Sequence, residues 1–221
     1  MNFLDTLRKT RLIGILRGIE FDELSVLTEA CVASELRFVE ITMNTANGAQ
    51  KIAALCKVAA GRFQVGAGTV LTRDDFSAAV DAGATFIVSP VLVPEVAETA
   101  AKSAVPYLPG ALTPQDIYNC HLAGATLVKV FPVQCFGPSY IRELRGPFAD
   151  IPLLACGGIR PDNVLDYLDS GADAVAIGGG TFKREWLRQR NVKALTEALC
   201  AFVELSRRKP FHAREAGTNP A

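Results

Sequence analysis

Three stretches of the chain repeat one pattern, and that pattern restricts the architecture more than any other feature. Residues 79–88 read AVDAGATFIV, residues 120–130 CHLAGATLVKV and residues 167–177 YLDSGADAVAI. Each is a helix end, then Gly-Ala, one polar residue and an aliphatic run. Gly83, Gly124 and Gly171 fall just past the helix, where a left-handed backbone suits glycine. The runs that follow are short and almost wholly apolar. Such runs fit strands buried on both faces, as in a parallel sheet. Eight of them occur, at Arg11–Gly18, Phe38–Asn44, Gln64–Val70, Phe86–Pro90, Pro106–Leu112, Leu127–Pro132, Pro152–Gly158 and Ala174–Gly180. They begin 20 to 27 residues apart, which leaves room for one helix between neighbours.

The intervening segments carry helix signals. Thr72-Arg-Asp-Asp75 reads as a variant capping box, and Thr113-Pro114-Gln-Asp116 sets a cap residue before a proline at the first helical position. Arg160-Pro161-Asp162 is expected to start a helix in the same way, and residues 191–206 form an amphipathic closing helix. Eight strand-helix units in 221 residues predict a compact (β/α)8 TIM barrel. The expected organisation is an N-terminal helix and a single barrel domain over residues 1–207, followed by a polar tail at 208–221 that frays. A doubly wound open sheet is the alternative. The strand count and the absence of GxGxxG after the first strand favour the barrel.

Composition removes several classes of function. Apolar residues make up 49% and charged residues 21%, which suits a packed core and argues against disorder. Lys+Arg and Asp+Glu are 23 each, so no cationic excess exists for general binding to nucleic acid or a membrane surface. No apolar run approaches the ~18 residues that span a bilayer, and Leu12–Leu16 is too short for a secretion signal. Cys31, Cys56, Cys120, Cys135, Cys156 and Cys200 contain no CxxC pair and read as buried reduced thiols of a cytoplasmic protein. His121 and His212 are the only histidines, so a three-histidine zinc site is impossible, and no metal is expected.

Polar residues inside barrel strands mark the candidate site. Alternation puts Glu40, Thr42 and Asn44 on one face, which would be the barrel lumen. Lys129 stands in Leu-Val-Lys-Val-Phe-Pro with apolar neighbours on both sides. A buried ammonium is costly unless paired, so either Glu40 pairs with it for structure or the lysine has chemistry to do. Burial favours the neutral amine, which can attack a carbonyl and form a Schiff base. Glycines cluster at the last two strand ends, at Gly157-Gly158 and at Gly178-Gly179-Gly180. Backbone N–H groups can approach an anion there, and barrels often bind phosphate after strands seven and eight. Arg17, Thr69 and Ser89-Pro90 end other strands and are candidate lining residues.

At this point the residues resemble a known family, the 2-keto-3-deoxy-6-phosphogluconate and 4-hydroxy-2-oxoglutarate aldolases with their 6-phosphogalactonate-cleaving relatives. The similarity lies in Gly14-Ile-Leu-Arg17-Gly, Val39-Glu40-Ile-Thr-Met-Asn44, Val65-Gly-Ala-Gly-Thr69-Val, Ile87-Val-Ser-Pro90, Pro109-Gly110-Ala-Leu-Thr113-Pro, Val128-Lys129-Val-Phe131-Pro132, Cys156-Gly157-Gly158-Ile and Ile177-Gly178-Gly179. These run in family order over residues 10–185.

The resemblance implies a class I aldolase that needs no metal or other cofactor and acts on a small keto sugar acid, releasing pyruvate in Entner–Doudoroff-type metabolism. It implies that Lys129 forms the Schiff base and Glu40 moves protons. Arg17, Asn44, Thr69, Pro90 and Phe131 would line the substrate site, and Gly157, Gly158, Gly178 and Gly179 would hold its phosphate. It also implies a cytoplasmic homotrimer. Two departures bear on the substrate. Gluconate-type members usually carry arginine at the position of Asn44, and galactonate-type members carry asparagine in Glu-Ile-Pro-Leu-Asn, where this chain has threonine for proline. The family often has serine where Gly180 stands, with Thr181 the nearest hydroxyl here. Two rival readings are an isomerase or epimerase using Glu40 as base with Lys129 only as a cation, and a non-catalytic binder of a sugar-acid phosphate.

Overall fold

The computed structural model describes residues 2–211, so His212 and the tail from 212 onward lie outside the described residues. Helix α1 (Phe3–Thr10) leads into β1 (Leu12–Leu16), α2 (Leu24–Ser34), β2 (Phe38–Thr42), α3 (Gly48–Ala59), β3 (Gln64–Gly68), α4 (Arg73–Asp81) and β4 (Ile87–Val88). Then follow α5 (Pro94–Ser103), β5 (Tyr107–Leu108), β6 (Gly110–Ala111), α6 (Pro114–Leu122), β7 (Val128–Val130) and α7 (Pro138–Arg145). The chain continues through β8 (Leu153–Cys156), α8 (Val164–Asp169), β9 (Ala174–Ile177), α9 (Arg184–Arg188) and α10 (Val192–Arg208).

Every strand pair is parallel, in the order β5-β4-β3-β2-β1-β9-β8-β7-β6. The ends of this order, β5 and β6, are consecutive in the chain and separated only by Pro109. The ladder therefore closes on itself, and the nine strands are the eight apolar runs with the fifth divided. Proline has no N–H to give, which breaks the strand there. Its carbonyl still accepts from Lys129 N at 2.9 Å, so the wall stays continuous.

Two apolar layers follow from the alternation of strand side chains. Inside the barrel, Ile13, Phe38, Phe86, Val88, Leu108, Leu127, Leu154, Cys156, Ala174 and Ala176 pack with Leu7. Phe3 of α1 closes the N-terminal end, its ring 5.3 Å from both Phe38 and Phe86. The outward-facing strand residues and the helices form the second layer. Gly66 makes this lumen possible: a Cβ there would meet the Phe86 ring at 2.5 Å.

The glycine punctuation holds, with φ of 97°, 81° and 103° at Gly83, Gly124 and Gly171. Thr72 caps α4 and Thr113 forms a reciprocal capping box with Asp116. The third expected start differs. Arg160-Pro161-Asp162 belongs to a turn, and α8 begins at Val164 after Asn163. The Asn163 side chain accepts from Arg160 N and donates to Gly158 O, so it serves the turn instead of capping the helix.

A buried carboxylate ties the base of the barrel together. Asp173, with no solvent exposure, accepts from Arg8 at 2.8 Å, Arg145 at 2.7 Å and the Leu153 backbone at 2.9 Å. These partners belong to α1, α7 and β8. Removing the carboxylate takes the charge partner from two guanidinium groups and the acceptor from the buried Leu153 N–H. Asp173→Ala is expected to cost about 3–5 kcal/mol, lowering the melting temperature by roughly 10 °C. A melting temperature within about 2 °C of wild type would show the clamp to be dispensable.

Candidate active site

Glu40 and Lys129 project into the lumen from opposite parts of the wall. Glu40 pairs in register with Ile15 and Gly66, and Lys129 with Gly110 and Leu154. Their exposures are 2% and 7%. Neither side chain has a hydrogen bond or ion pair among the described residues, so the pair is not the structural salt bridge that sequence alone allowed. Two buried ionisable groups without partners are expensive to keep. That cost makes sense where a third molecule is to sit between them.

Burial pushes the Glu40 carboxyl above its ordinary 4.5, while the positive charges of Lys129 and Arg17 pull it partly back. The Cys156 thiol lies in the same field. Burial raises it to about 11, against opposing influence from Lys129 and Arg17. Sequence reading overlooked Cys156 as a lumen residue, although its alternation with Leu154 pointed inward. It also gave no role to Gly68 and Gly110. A Cβ on Gly68 would run into the Glu40 carboxylate, and one on Gly110 into the Pro90 carbonyl. The absent side chains give Glu40 and the turn after β4 their places.

The remaining candidates ring the C-terminal mouth. Arg17 is exposed just past β1, and Asn44 is exposed in the turn after β2, so Asn44 does not continue the buried face of Glu40 and Thr42. Thr42 and Thr45 share a hydrogen bond of 3.0 Å, and Thr45 accepts from Gly18 N, which joins the loops carrying Arg17 and Asn44. Thr69 has φ of 55°, an uncommon state for a β-branched residue. Such states cost about 1–3 kcal/mol and concentrate at functional sites. Phe131 is 40% exposed, with its ring centre 5.3 Å from Lys129 Nζ. Pro90 and Phe131 line a cavity of about 290 Å³ together with Gly110 and Leu112. A larger hollow of about 570 Å³ lies at the opposite end, between α1 and α5, and no charged side chain lines it.

The two glycine turns stand at the ends of β8 and β9. Gly157 and Gly158 have φ of 104° and 70°. Gly178, Gly179 and Gly180 face open space, and the N–H groups of Gly179 and Gly180 make no backbone hydrogen bond among the described residues. Free N–H groups at a solvent-facing turn suit an anion. Among the described residues no helix is long and apolar enough to cross a membrane.

Comparison with known proteins identifies the family and the fold. Residues 4–198 match the family described as KDPG and KHG aldolase. A 2-dehydro-3-deoxy-6-phosphogalactonate aldolase of Escherichia coli is 31% identical over 200 residues, covering 90% of this chain and 96% of its own. A 2-dehydro-3-deoxy-phosphogluconate aldolase of Pseudomonas aeruginosa is 33% identical over 178 residues, covering 80% of each chain. The solved structure described as native KDPGal superposes with a TM-score of 0.83 at 31% identity, over 90% of this chain and 95% of that one.

Proposed function

The chain belongs to the KDPG and KHG aldolase family, and on that premise we propose that it cleaves a 2-keto-3-deoxy-6-phospho sugar acid through a Schiff base on Lys129. It is an aldolase, a lyase that breaks a carbon–carbon bond. The observation that carries the mechanistic reading is the unpartnered, buried pair of Glu40 and Lys129 in a lumen plugged at its other end.

The free amine of Lys129 attacks the C2 ketone, and loss of water leaves an iminium. The Glu40 carboxylate takes the proton of the C4 hydroxyl. The C3–C4 electron pair moves toward the iminium nitrogen, giving an enamine and releasing glyceraldehyde 3-phosphate. Glu40 returns its proton to C3, and water hydrolyses the resulting iminium to pyruvate and free lysine. Arg17, Asn44, Thr69, Pro90 and Phe131 line the substrate, and Gly157, Gly158, Gly178 and Gly179 hold its phosphate. The same route would split 4-hydroxy-2-oxoglutarate into pyruvate and glyoxylate.

We place the enzyme in the cytoplasm as a homotrimer. All six cysteines are free, which supports a reducing compartment. Val91 and Phe136 are more than half exposed, which supports burial against another copy.

Borohydride treatment in the presence of pyruvate tests the chemistry. A reduced pyruvyl adduct on Lys129 is expected by peptide mass spectrometry. A folded protein that yields no adduct would remove the Schiff base and leave Lys129 as a cation beside a proton-abstracting Glu40.

A further inference from the structure

The turn after β9 lacks a side-chain hydroxyl where an anion would sit, because Gly178, Gly179 and Gly180 occur in succession. The N–H groups of Thr181 and Phe182 both return to Gly178 O, at 2.8 and 3.3 Å. That tight return brings Arg184 back toward the mouth. Arg184 Nη1 occupies the space beside Gly18, 2.9 Å from where a Cβ on Gly18 would stand. Gly18 has φ of 68° and follows Arg17, so the guanidinium lies against the loop that carries Arg17.

The ionic setting leaves Arg184 available. Its one described partner is Glu20, at 4.0 Å. The other oxygen of Glu20 is held at 2.9 Å by Lys51, which is almost wholly buried. Two cations thus share one carboxylate, with Lys51 taking the short contact. Lys51 also lies 5.4 Å from the Phe21 ring, so the anchor of this loop does not depend on Arg184. The Arg184 side chain keeps 40% of its surface.

We propose that Arg184 is a specificity-determining residue that binds the terminal phosphate of the substrate. Its fork of charged donors, held against the loop that carries Arg17, and the N–H groups of Gly179 and Gly180 then bind one phosphate together, in place of a hydroxyl. A dianionic phosphate competes well for a cation whose present partner is distant and shared. The substrate class is then a 2-keto-3-deoxy acid phosphorylated at the end remote from the ketone. This rests on the aldolase reading above.

The test compares wild type, Arg184→Ala and Arg184→Lys on phosphorylated and unphosphorylated 2-keto-3-deoxy acids. For Arg184→Ala, kcat/KM on the phosphorylated acid should fall about 10- to 100-fold, mostly through KM, and stay within about twofold on the other. Arg184→Lys should recover part of the loss. Glycerol 3-phosphate binding, measured by calorimetry, should weaken by the same factor in Arg184→Ala. That measurement needs no imine chemistry, so it stands even if pyruvate fails to trap on Lys129. Equal losses on both substrates, or unchanged glycerol 3-phosphate binding, would overturn the proposal.

Discussion

Lys129→Arg is expected to lower aldol cleavage by roughly 10⁴-fold or more, the scale reached when an enzyme loses its nucleophile. Arginine keeps the charge but remains protonated at any working pH, so it has no amine with which to form the imine. The loss should appear in kcat, and the borohydride adduct with pyruvate should vanish with it. Because Lys129 has no ion-pair partner among the described residues, its replacement leaves no carboxylate newly stranded by a broken bridge. Lys129→Met separates charge from bulk. It should be equally inactive and melt close to wild type, since an apolar chain suits a site that is 7% exposed while Glu40 loses one of the two charges that pull it down. Full turnover in either folded variant would place the nucleophile elsewhere.

The two catalytic candidates were legible in the sequence for a local reason. Lys129 interrupts an apolar strand, and Glu40 falls on the inward parity of another, so each stood out within a few residues. The same holds for Thr113 and for Gly83, Gly124 and Gly171, whose roles depend on the adjacent turn. What sequence missed depends on approach across the barrel. Gly68 is glycine because the Glu40 carboxylate occupies its side-chain space, and Arg184 comes to lie against Gly18, whose φ of 68° favours glycine. Those partners come together only once the ladder closes. Asn44 shows the converse error, since alternation stopped meaning anything once β2 ended at Thr42. The division at Pro109 was hidden because both halves belong to one apolar run.

Glu40→Gln should produce an enzyme that is nearly inactive and yet more stable at neutral pH. Burial holds the Glu40 carboxyl above 4.5, so the folded state binds its proton more tightly than the unfolded chain does. Stability is therefore lost as pH rises from the unfolded value through the raised folded one, and at neutral pH the buried anion weakens the fold. Glutamine removes that charge and keeps the shape. Its melting temperature should exceed wild type at pH 7.5, and the gap should close as pH falls below the folded value. Turnover should drop about 10²- to 10⁴-fold, the usual contribution of a positioned general base. Imine formation on Lys129 should persist, because Glu40 acts on the C4 hydroxyl and C3 and not on the ketone. In wild type, the acidic limb of kcat/KM should lie above 4.5. Arg17→Gln removes a charge that pulls Glu40 down and should move that limb to higher pH. Unchanged turnover in Glu40→Gln would exclude Glu40 as the base. A lower melting temperature at pH 7.5 would mean that the carboxylate stabilises the fold, contrary to its buried, unpartnered position.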